Sequence, residues 1–511
     1  MVLAACLMLA GFRDHGITWD EPLHVEYGER ALDWYLSLGA DRSVLEFQNL
    51  YLYGALYDTM AAAISLLSPF DAYGTRRLLG GLLGLLGVAA VHRIARDLGG
   101  ARAGALAAVL LLLTPDWWGH AFNNPKDTPF AVAGAWSAVF LVRLATALPE
   151  PRLRDAVGFG LALGAALGIR VGGVLFLGPL GVVGLAWVLL RLGRGAGPLP
   201  VLAEAGRIAL VFAAALPVAW ALMVAAWPWA QLDPVGHPVR ALAEFSRFPL
   251  DFTFLFAGQT LRTTELPWWY LPMGLAVKLP VPLFLAVAGA AGLGLSALLR
   301  GRVRMEAVAL AAALLLPPLA VLATHAVLYD GIRHMLFLVP LLAAAAGVAL
   351  DRLASALPAS RRGFRPAALA GAALAGYAAA QAATMVRLHP YQTIWHNALA
   401  GGVTGAAGRF ELDYWGSAMS EAARALTAAI LRREGVMSLT RPYRVRLCGP
   451  PGSALYYLPP SWRGVGEGEA DFYVAYTRGR CPGAPEGAEL VRVERMGIPL
   501  AFVLDLRGAR P

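Results

Sequence analysis

Arg76 to Arg96 reads RRLLGGLLGLLGVAAVHRIAR, and that stretch decides the fold. An α-helix rises about 1.5 Å per residue, so crossing a hydrocarbon core of about 30 Å takes about 20 residues. This run has that length. Working outward from it, runs of the same character fall at roughly 101–118, 128–148, 155–169, 171–191, 207–227, 279–299, 305–327, 332–350 and 366–386. The pair between 155 and 191 is compressed, yet it suits two passes better than one. The apolar run from Met1 to Phe12 is too short to span and reads either as a signal remnant or, the favoured reading, as a truncated first span, which brings the expected number of transmembrane helices to about eleven. Composition agrees: 58 % of residues are hydrophobic and 15 % charged, with a mean hydropathy of +0.57. A soluble domain averages about 45–50 % and about 25 %. The expected fold is a multi-pass α-helical membrane protein.

The net charge of +9 would suggest nucleic acid in a soluble protein, but in a membrane protein such a surplus marks the loops of one side. Arg93, Arg96 and Arg102; Arg143, Arg152 and Arg154; Arg191, Arg194 and Arg207; Arg300, Arg302 and Arg304; and Arg352, Arg361, Arg362 and Arg365 put sixteen arginines on five short connections. The short loops of the opposite side hold only Lys126, Arg170 and Arg333. The positive-inside rule makes the arginine-rich side cytoplasmic. Three longer stretches then lie outside, at about 13–75, 228–278 and 387–511. Two domains are expected: a transmembrane body over 1–386, and a small extracytoplasmic α/β domain over 387–511, on the periplasmic side of an inner membrane.

Within the first outer stretch, Leu52, Leu56, Met60, Ala63, Ile64 and Leu67 form a stripe at helical spacing with Asp58 and Thr59 off it, the pattern of an amphipathic helix lying on the membrane. Trp117, Trp118, Trp227, Trp229, Trp268, Trp269 and Tyr270 read as an interfacial aromatic belt. In the tail, Ser420–Arg433 reads as a helix stopped at Gly435. YRVRLCG, DFYVAYTRG and LVRVERMGIPLAFVLDL read as strands. Cys6, Cys448 and Cys481 make neither a metal cluster nor a disulfide scaffold. Cys448 and Cys481, at the ends of two tail strands, are placed to pair in an oxidising compartment.

The chemistry-bearing residues gather at the outer membrane edge. ITWDEPLHVEYGE (Ile17–Glu29) places Asp20 and Glu21 side by side just after the first apolar run. NNPKDTPF puts Lys126 and Asp127 in a tight outer loop. GIRVGG holds Arg170, LAVKLPVP holds Lys278, and YDGIRHM holds Asp330, Arg333 and His334. Each has a structural alternative: Asp20 or Asp127 as a helix cap, the cations as snorkelling anchors, His334 as a structural histidine. Anchors explain cations, but not acids brought beside them in tight loops. Acids beside cations at a lipid–water edge suit an anionic lipid substrate such as a polyprenyl phosphate carrying a sugar. Cations hold the phosphate as it leaves. A carboxylate, ionised at neutral pH with an ordinary pKa of about 3.9, takes or orients the proton of the incoming hydroxyl.

The ordered set resembles the membrane glycosyltransferases of the C-type superfamily (family 39-like), in the bacterial branch related to protein O-mannosyltransferases and lipid A aminoarabinose transferases. The resemblance covers nearly the whole chain. It rests on the acidic Asp20-Glu21 pair, NPKD with Asp127, GQTLRTTELPWWYLP, YDGIRHMLFLVP, HPYQTIWHNALAGG and FELDYWG. It implies an inverting transferase that uses a polyprenyl-phosphate-linked sugar and a lipid, glycan or protein acceptor on the outer face of the inner membrane. Carried over by motif, Asp20, Glu21 and Asp127 are the catalytic acids, and Lys126, Arg170, Lys278, Arg333 and His334 bind phosphate and sugar. Some relatives bind a divalent metal near the phosphate; the His and acid spacing here specifies no such site, and no obligatory metal or other cofactor is expected. Tyr391, Trp395, Tyr414 and Trp415 either dock the tail on the membrane or bind acceptor. The competing class, a transporter or lipid flippase, would place its site near the midplane on repeated, broken helices; neither repeats nor midspan charges are present.

Overall fold

The structure, a computed structural model, describes residues 1–246, 250–357, 366–478 and 484–509. Its helices begin with α1 (Val2–Gly11), α2 (Glu21–Leu36), α3 (Leu56–Ser65), α4 (Ala72–Gly99), α5 (Ala101–Leu112), α6 (Pro115–Asn123), α7 (Asp127–Thr146) and α8 (Leu153–Leu167). Then come α9 (Leu177–Gly193), α10 (Pro198–Ala213), α11 (Ala215–Ala225), the short α12 (Pro228–Leu232), and α13 (Gly236–Ser246). A hairpin of β1 (Thr253–Phe256) and β2 (Gln259–Arg262) leads to α14 (Tyr270–Lys278), α15 (Val281–Leu299), α16 (Met305–Ala323), α17 (Leu338–Ala356) and α18 (Pro366–Leu388).

Among the described residues eight helices are long and apolar enough to cross a membrane, and the bent pair α5–α6 makes a ninth. The chain is a multi-pass membrane protein. The other two expected passes are α1 and α8, of ten and fifteen residues, which fall short of that length. The 65° bend between α5 and α6 has a plain cause. Pro115 has no N–H to continue the helix, and it forces Thr114 into an extended conformation (φ −90°, ψ 108°). Helix α7 runs through the middle of the bundle, with Ala131, Ala135 and Val139 fully buried. Helices α15 and α18 keep most of their apolar surface on the outside of the bundle, as lipid-facing helices do.

The ends of these helices separate the charges. Arg102 at the start of α5 meets Asp351 near the end of α17, and Arg143 lies 3.5 Å from Asp97 and 3.8 Å from Asp155. Arg361, Arg362 and Arg365 lie outside the described residues. Lys126, Arg170 and Arg333 occupy the opposite ends, beside α2, α3 and the tail.

Helix α3 carries only the middle of the expected stripe, Leu56 to Ile64: Leu52 is buried in a separate turn, Leu67 lies beyond the helix, and Asp58, expected on the polar side, is buried. The aromatic belt is also only partly a belt. Trp117, Trp227 and Tyr270 are buried, and the Trp227 Nε1–H donates to the Tyr51 carbonyl at 2.8 Å.

The tail comprises α19 (Gly402–Ala406), α20 (Met419–Glu434), α21 (Pro451–Leu455) and a sheet of β3 (Arg444–Cys448), β4 (Arg463–Val465), β5 (Phe472–Tyr476), β6 (Ala488–Arg495) and β7 (Ile498–Asp505) in the order β4-β3-β5-β7-β6. Strand β3 pairs parallel with β4 and β5, while β7 runs antiparallel to β5 and β6. The apolar run expected as one strand is the β6–β7 hairpin, turning at Met496-Gly497, both with positive φ. Gly435 ends α20 as expected, at φ 74°. Cys448 is disulfide-bonded; Cys481 lies outside the described residues. The tail's core includes Leu388, Tyr391, Ile394 and Trp395 from the connection to α18, so the tail is packed onto its own linker.

Candidate active site

Between the helix ends and the tail lies a cavity of about 550 Å³. It is enclosed by the start of α2, the stretches around Asn49–Tyr53 and Leu250–Thr253, the turn before α7, the Tyr329–Arg333 loop, and the tail residues Glu411, Tyr414, Trp415, Tyr476 and Arg478. The α2 start is fixed by the tail, because the Trp19 N–H donates to the Trp415 carbonyl at 3.1 Å.

Asp20 and Glu21 part company at this point. Successive residues at a helix start point in different directions, and only Asp20 lines the cavity. Its carboxylate lies 3.3 Å from Lys126 Nζ and its side chain is 25 % exposed; α2 gains no side-chain cap from it. Burial works to raise the Asp20 carboxyl, but Lys126, then Arg333 and His24, outweigh it and hold the group below the ordinary carboxylate range. Glu21 turns inward and is buried. It accepts from the Thr18 N–H at 2.7 Å and the Thr18 hydroxyl at 3.1 Å, with Arg77 Nε at 3.8 Å. Burial pushes its carboxyl up. Glu21 ties the entry of α2 to α4 and stays outside the cavity.

Asp127 is also beneath the wall. It pairs with Arg170, lies 3.4 Å from Arg333 Nη1, and accepts from Asn124 Nδ2 at 3.1 Å. It caps no helix through its side chain. It is the buried anion that fixes two guanidinium groups, of which Arg333 lines the cavity. Arg333 also lies 3.3 Å from Asp330 and 5.3 Å above the Trp415 ring. Lys126 sits 5.2 Å over the Tyr53 ring and Arg170 5.9 Å over the same ring.

Lys278 belongs elsewhere. Its ammonium donates to the Thr393 carbonyl at 2.6 Å and the Trp395 carbonyl at 2.9 Å, with Asp116 at 3.3 Å. All three donors are used, and the residue pins the tail linker to α14. His334 stands edge-on to Tyr329 at 4.6 Å, with its imidazole held well below the ordinary value by burial and then by Arg333. It is not on the cavity wall. Of the tail aromatics, Tyr414 and Trp415 line the cavity, whereas Tyr391, donating to Glu421 at 2.7 Å, and Trp395 lie in the tail core.

Among the wall residues not singled out from the sequence are His24, Tyr53, Glu411 and Arg478. Arg478 reaches in from the tail, 2.8 Å from Asp330 and 2.7 Å from Glu411, and donates to the Tyr414 carbonyl at 2.7 Å. Burial pushes the Asp330 and Glu411 carboxyls up, against the pull of Arg333 and Arg478. Asp330 sits in a left-handed turn (φ 57°) followed by Gly331 (φ 66°), which aims its side chain at both arginines. His24 alone had a local signal, since it follows Asp20 by one helical turn.

The wall fits an anion better than a divalent cation. Asp20, Asp330 and Glu411 are each already paired with Lys126, Arg333 or Arg478, which leaves few free oxygens for a hard metal. Among the described residues no cluster of His, Cys, Asp and Glu gathers to hold a metal. A second, apolar groove of about 340 Å³ lies between α3, α4, α7 and α8, lined by Leu56, Met60, Leu83, Pro129, Trp136 and Ile169. Its Ile169 end adjoins Arg170.

Residues 60–224 match the family model described as dolichyl-phosphate-mannose-protein mannosyltransferase. No curated relative matches the chain. Among solved structures, the chain is 12 % identical to the oligosaccharyltransferase of Archaeoglobus fulgidus in the apo form, at a TM-score of 0.50, covering 90 % of this chain and 63 % of that one. ArnT from Cupriavidus metallidurans bound to undecaprenyl phosphate is 15 % identical at a TM-score of 0.49, covering 100 % and 99 %.

Proposed function

We propose, from its relation to the membrane glycosyltransferases of the C-type superfamily, that this chain moves a sugar from a polyprenyl-phosphate donor to a hydroxyl of a lipid, glycan or protein acceptor, on the outer face of the inner membrane. The match over 60–224, to a family named for a lipid-phosphate sugar donor, supports the donor class. The observation that carries the reading is the Asp20–Lys126 pair, 3.3 Å apart on the wall of a cavity that also holds Arg333. A phosphate leaving the sugar gains charge, and preorganised cations in a partly desolvated site stabilise it most where that charge develops. Lys126 and Arg333 are so placed, with Asp127 and Arg170 behind them. The apolar groove beside Arg170 suits the isoprenoid chain of the same lipid. Asp20 holds Lys126 in place and stands where the incoming hydroxyl meets the donor. Tyr414 and Trp415 offer aromatic surface to a sugar, while Tyr391 and Trp395 serve the docking of the tail. A flippase would need its polar groups near the middle of the spans, and here the ion pairs lie at the helix ends.

The test is transfer by the purified protein in detergent, supplied with radiolabelled undecaprenyl-phosphate-linked mannose, glucose or aminoarabinose and a membrane extract as acceptor. One of these sugars should appear on an acceptor, and the double variant Asp20→Asn, Asp127→Asn should abolish transfer while remaining folded. Turnover retained in the double variant contradicts the assignment.

A further inference from the structure

Each carboxylate on the cavity wall faces a cation: Asp20 faces Lys126, Asp330 faces Arg333 and Arg478, and Glu411 faces Arg478. His24 is placed differently. It lines the same cavity one helical turn beyond Asp20, its side chain is 1 % exposed, and its Nε2 has no hydrogen-bond partner. Its Nδ1 lies 2.9 Å from Asp58 Oδ2, and Asp58 is in turn paired with the buried Arg76. The charged groups facing the ring are therefore Asp20 on its own helix, Asp58 from α3, Arg76 from α4 and Lys126 from the turn before α7. Burial opposes the charge on Asp58, but His24 and Arg76 prevail and hold it below the ordinary range. An ionised Asp58 can only accept, so Nδ1 carries the hydrogen and Nε2 is left as a bare acceptor. Burial, outweighing the pull of Asp58, keeps the imidazole neutral. The arrangement depends on close packing: a Cβ on Gly28 would strike the Asp58 backbone, so α2 lies against α3 only because residue 28 has no side chain.

We propose that His24 is the group that takes the proton of the attacking hydroxyl, with Asp58 and Arg76 fixing the ring and Asp20 keeping Lys126 on the phosphate. The inference rests on the glycosyl-transfer reading above. In the step, the acceptor O–H bond breaks and its proton moves to Nε2. The oxygen forms a bond to the anomeric carbon. The anomeric carbon–oxygen bond to the phosphate breaks, its electron pair leaving with the lipid phosphate, where Lys126 and Arg333 meet the added charge. This is the base-and-orienter logic of paired catalytic residues.

The test uses the full-length protein in detergent and the same three labelled donors. His24→Gln keeps a polar group near the Nε2 position but cannot take up a proton. It should lower kcat by about 10²–10⁴-fold, leave the donor KM within about threefold, and leave binding of undecaprenyl phosphate unchanged. Only the neutral ring accepts a proton, and its affinity for a proton is lowered. Wild-type kcat should therefore persist at pH values where an ordinary histidine, with a pKa of about 6.5, is mostly protonated, and fall only on further acidification; His24→Gln should lose that acid limb. His24→Ala with added imidazole supplies the second arm, and turnover should partly return. A His24→Gln protein with wild-type kcat overturns the proposal, as does an unchanged acid limb or a His24→Ala protein that imidazole does not restore. If the wild type moves none of the three sugars and does not bind undecaprenyl phosphate, the transfer reading itself falls, and this proposal with it.

Discussion

Both ends of the helical bundle carry arginine–carboxylate pairs, and the two ends differ in how deeply the arginines are buried. At the end away from the cavity only the carboxylates are buried: Arg102 is 62 % exposed against Asp351 at 11 %, and Arg304 is 56 % exposed against Glu306 at 10 %. Around the cavity, Arg333 and Asp127 are 3 % and 2 % exposed, and Arg76 and Asp58 are 4 % and 5 %. Exposed pairs are worth about 0–1 kcal/mol and cost little to keep. Buried ones carry a desolvation penalty that their attraction does not reliably repay, yet losing one partner leaves a stranded charge. The chain therefore buries both partners of such pairs beside the cavity, and only the carboxylates at the other end.

That contrast can be broken in steps, from the largest effect to the smallest. The double variant Asp20→Asn, Asp127→Asn should lose at least about 10³-fold in sugar transfer, because the cations on the phosphate lose their fixed partners; quantifying labelled product against the wild type checks it, and a loss of less than tenfold would place the chemistry elsewhere. Asp127→Ala alone strands Arg170 and Arg333 and should destabilise the fold by about 3–5 kcal/mol, read as a lowered melting temperature in detergent. Gly28→Ala should push α2 from α3 at a cost of about 1–3 kcal/mol, and it should reduce transfer as well, since the His24–Asp58 contact lies at that seam. Arg102→Ala, which removes an exposed guanidinium from the buried Asp351, should cost less than Asp127→Ala, about 1–2 kcal/mol, and leave transfer rates unchanged. If Arg102→Ala matched Asp127→Ala in either measurement, the two ends would not differ as described.

Much of this was legible in the sequence, for reasons that also mark where legibility stops. The spans announce themselves because a membrane demands about 20 apolar residues regardless of what they pack against. Lys126, Arg333 and Asp20 could be named because acids stand beside cations in tight loops of the side that carries few arginines. Adjacency misled at Glu21, which sits beside Asp20 in the chain but turns inward to Thr18 and Arg77. Lys278 looked like a phosphate ligand because chain position does not reveal the carbonyls of Thr393 and Trp395 that occupy its donors. Asp58 could not be joined to His24 across 34 residues by any local pattern. Arg478 arrives from a domain that the spans say nothing about. Strand β4 is three residues long and leaves no periodic trace. In each case the missing information was a direction or a long-range contact.

The central claim is that a lipid phosphate is held between Lys126 and Arg333. The most direct measurement is photo-crosslinking of the full chain with an undecaprenyl phosphate analogue bearing its reactive group beside the phosphate, followed by mass spectrometry of the labelled peptides. The account predicts labels on peptides spanning Trp19–His24, Asn123–Phe130 and Tyr329–His334, lost in the Lys126→Met, Arg333→Met double variant. Labels concentrated instead on the arginines around Arg102, Arg143 and Arg304 would contradict it.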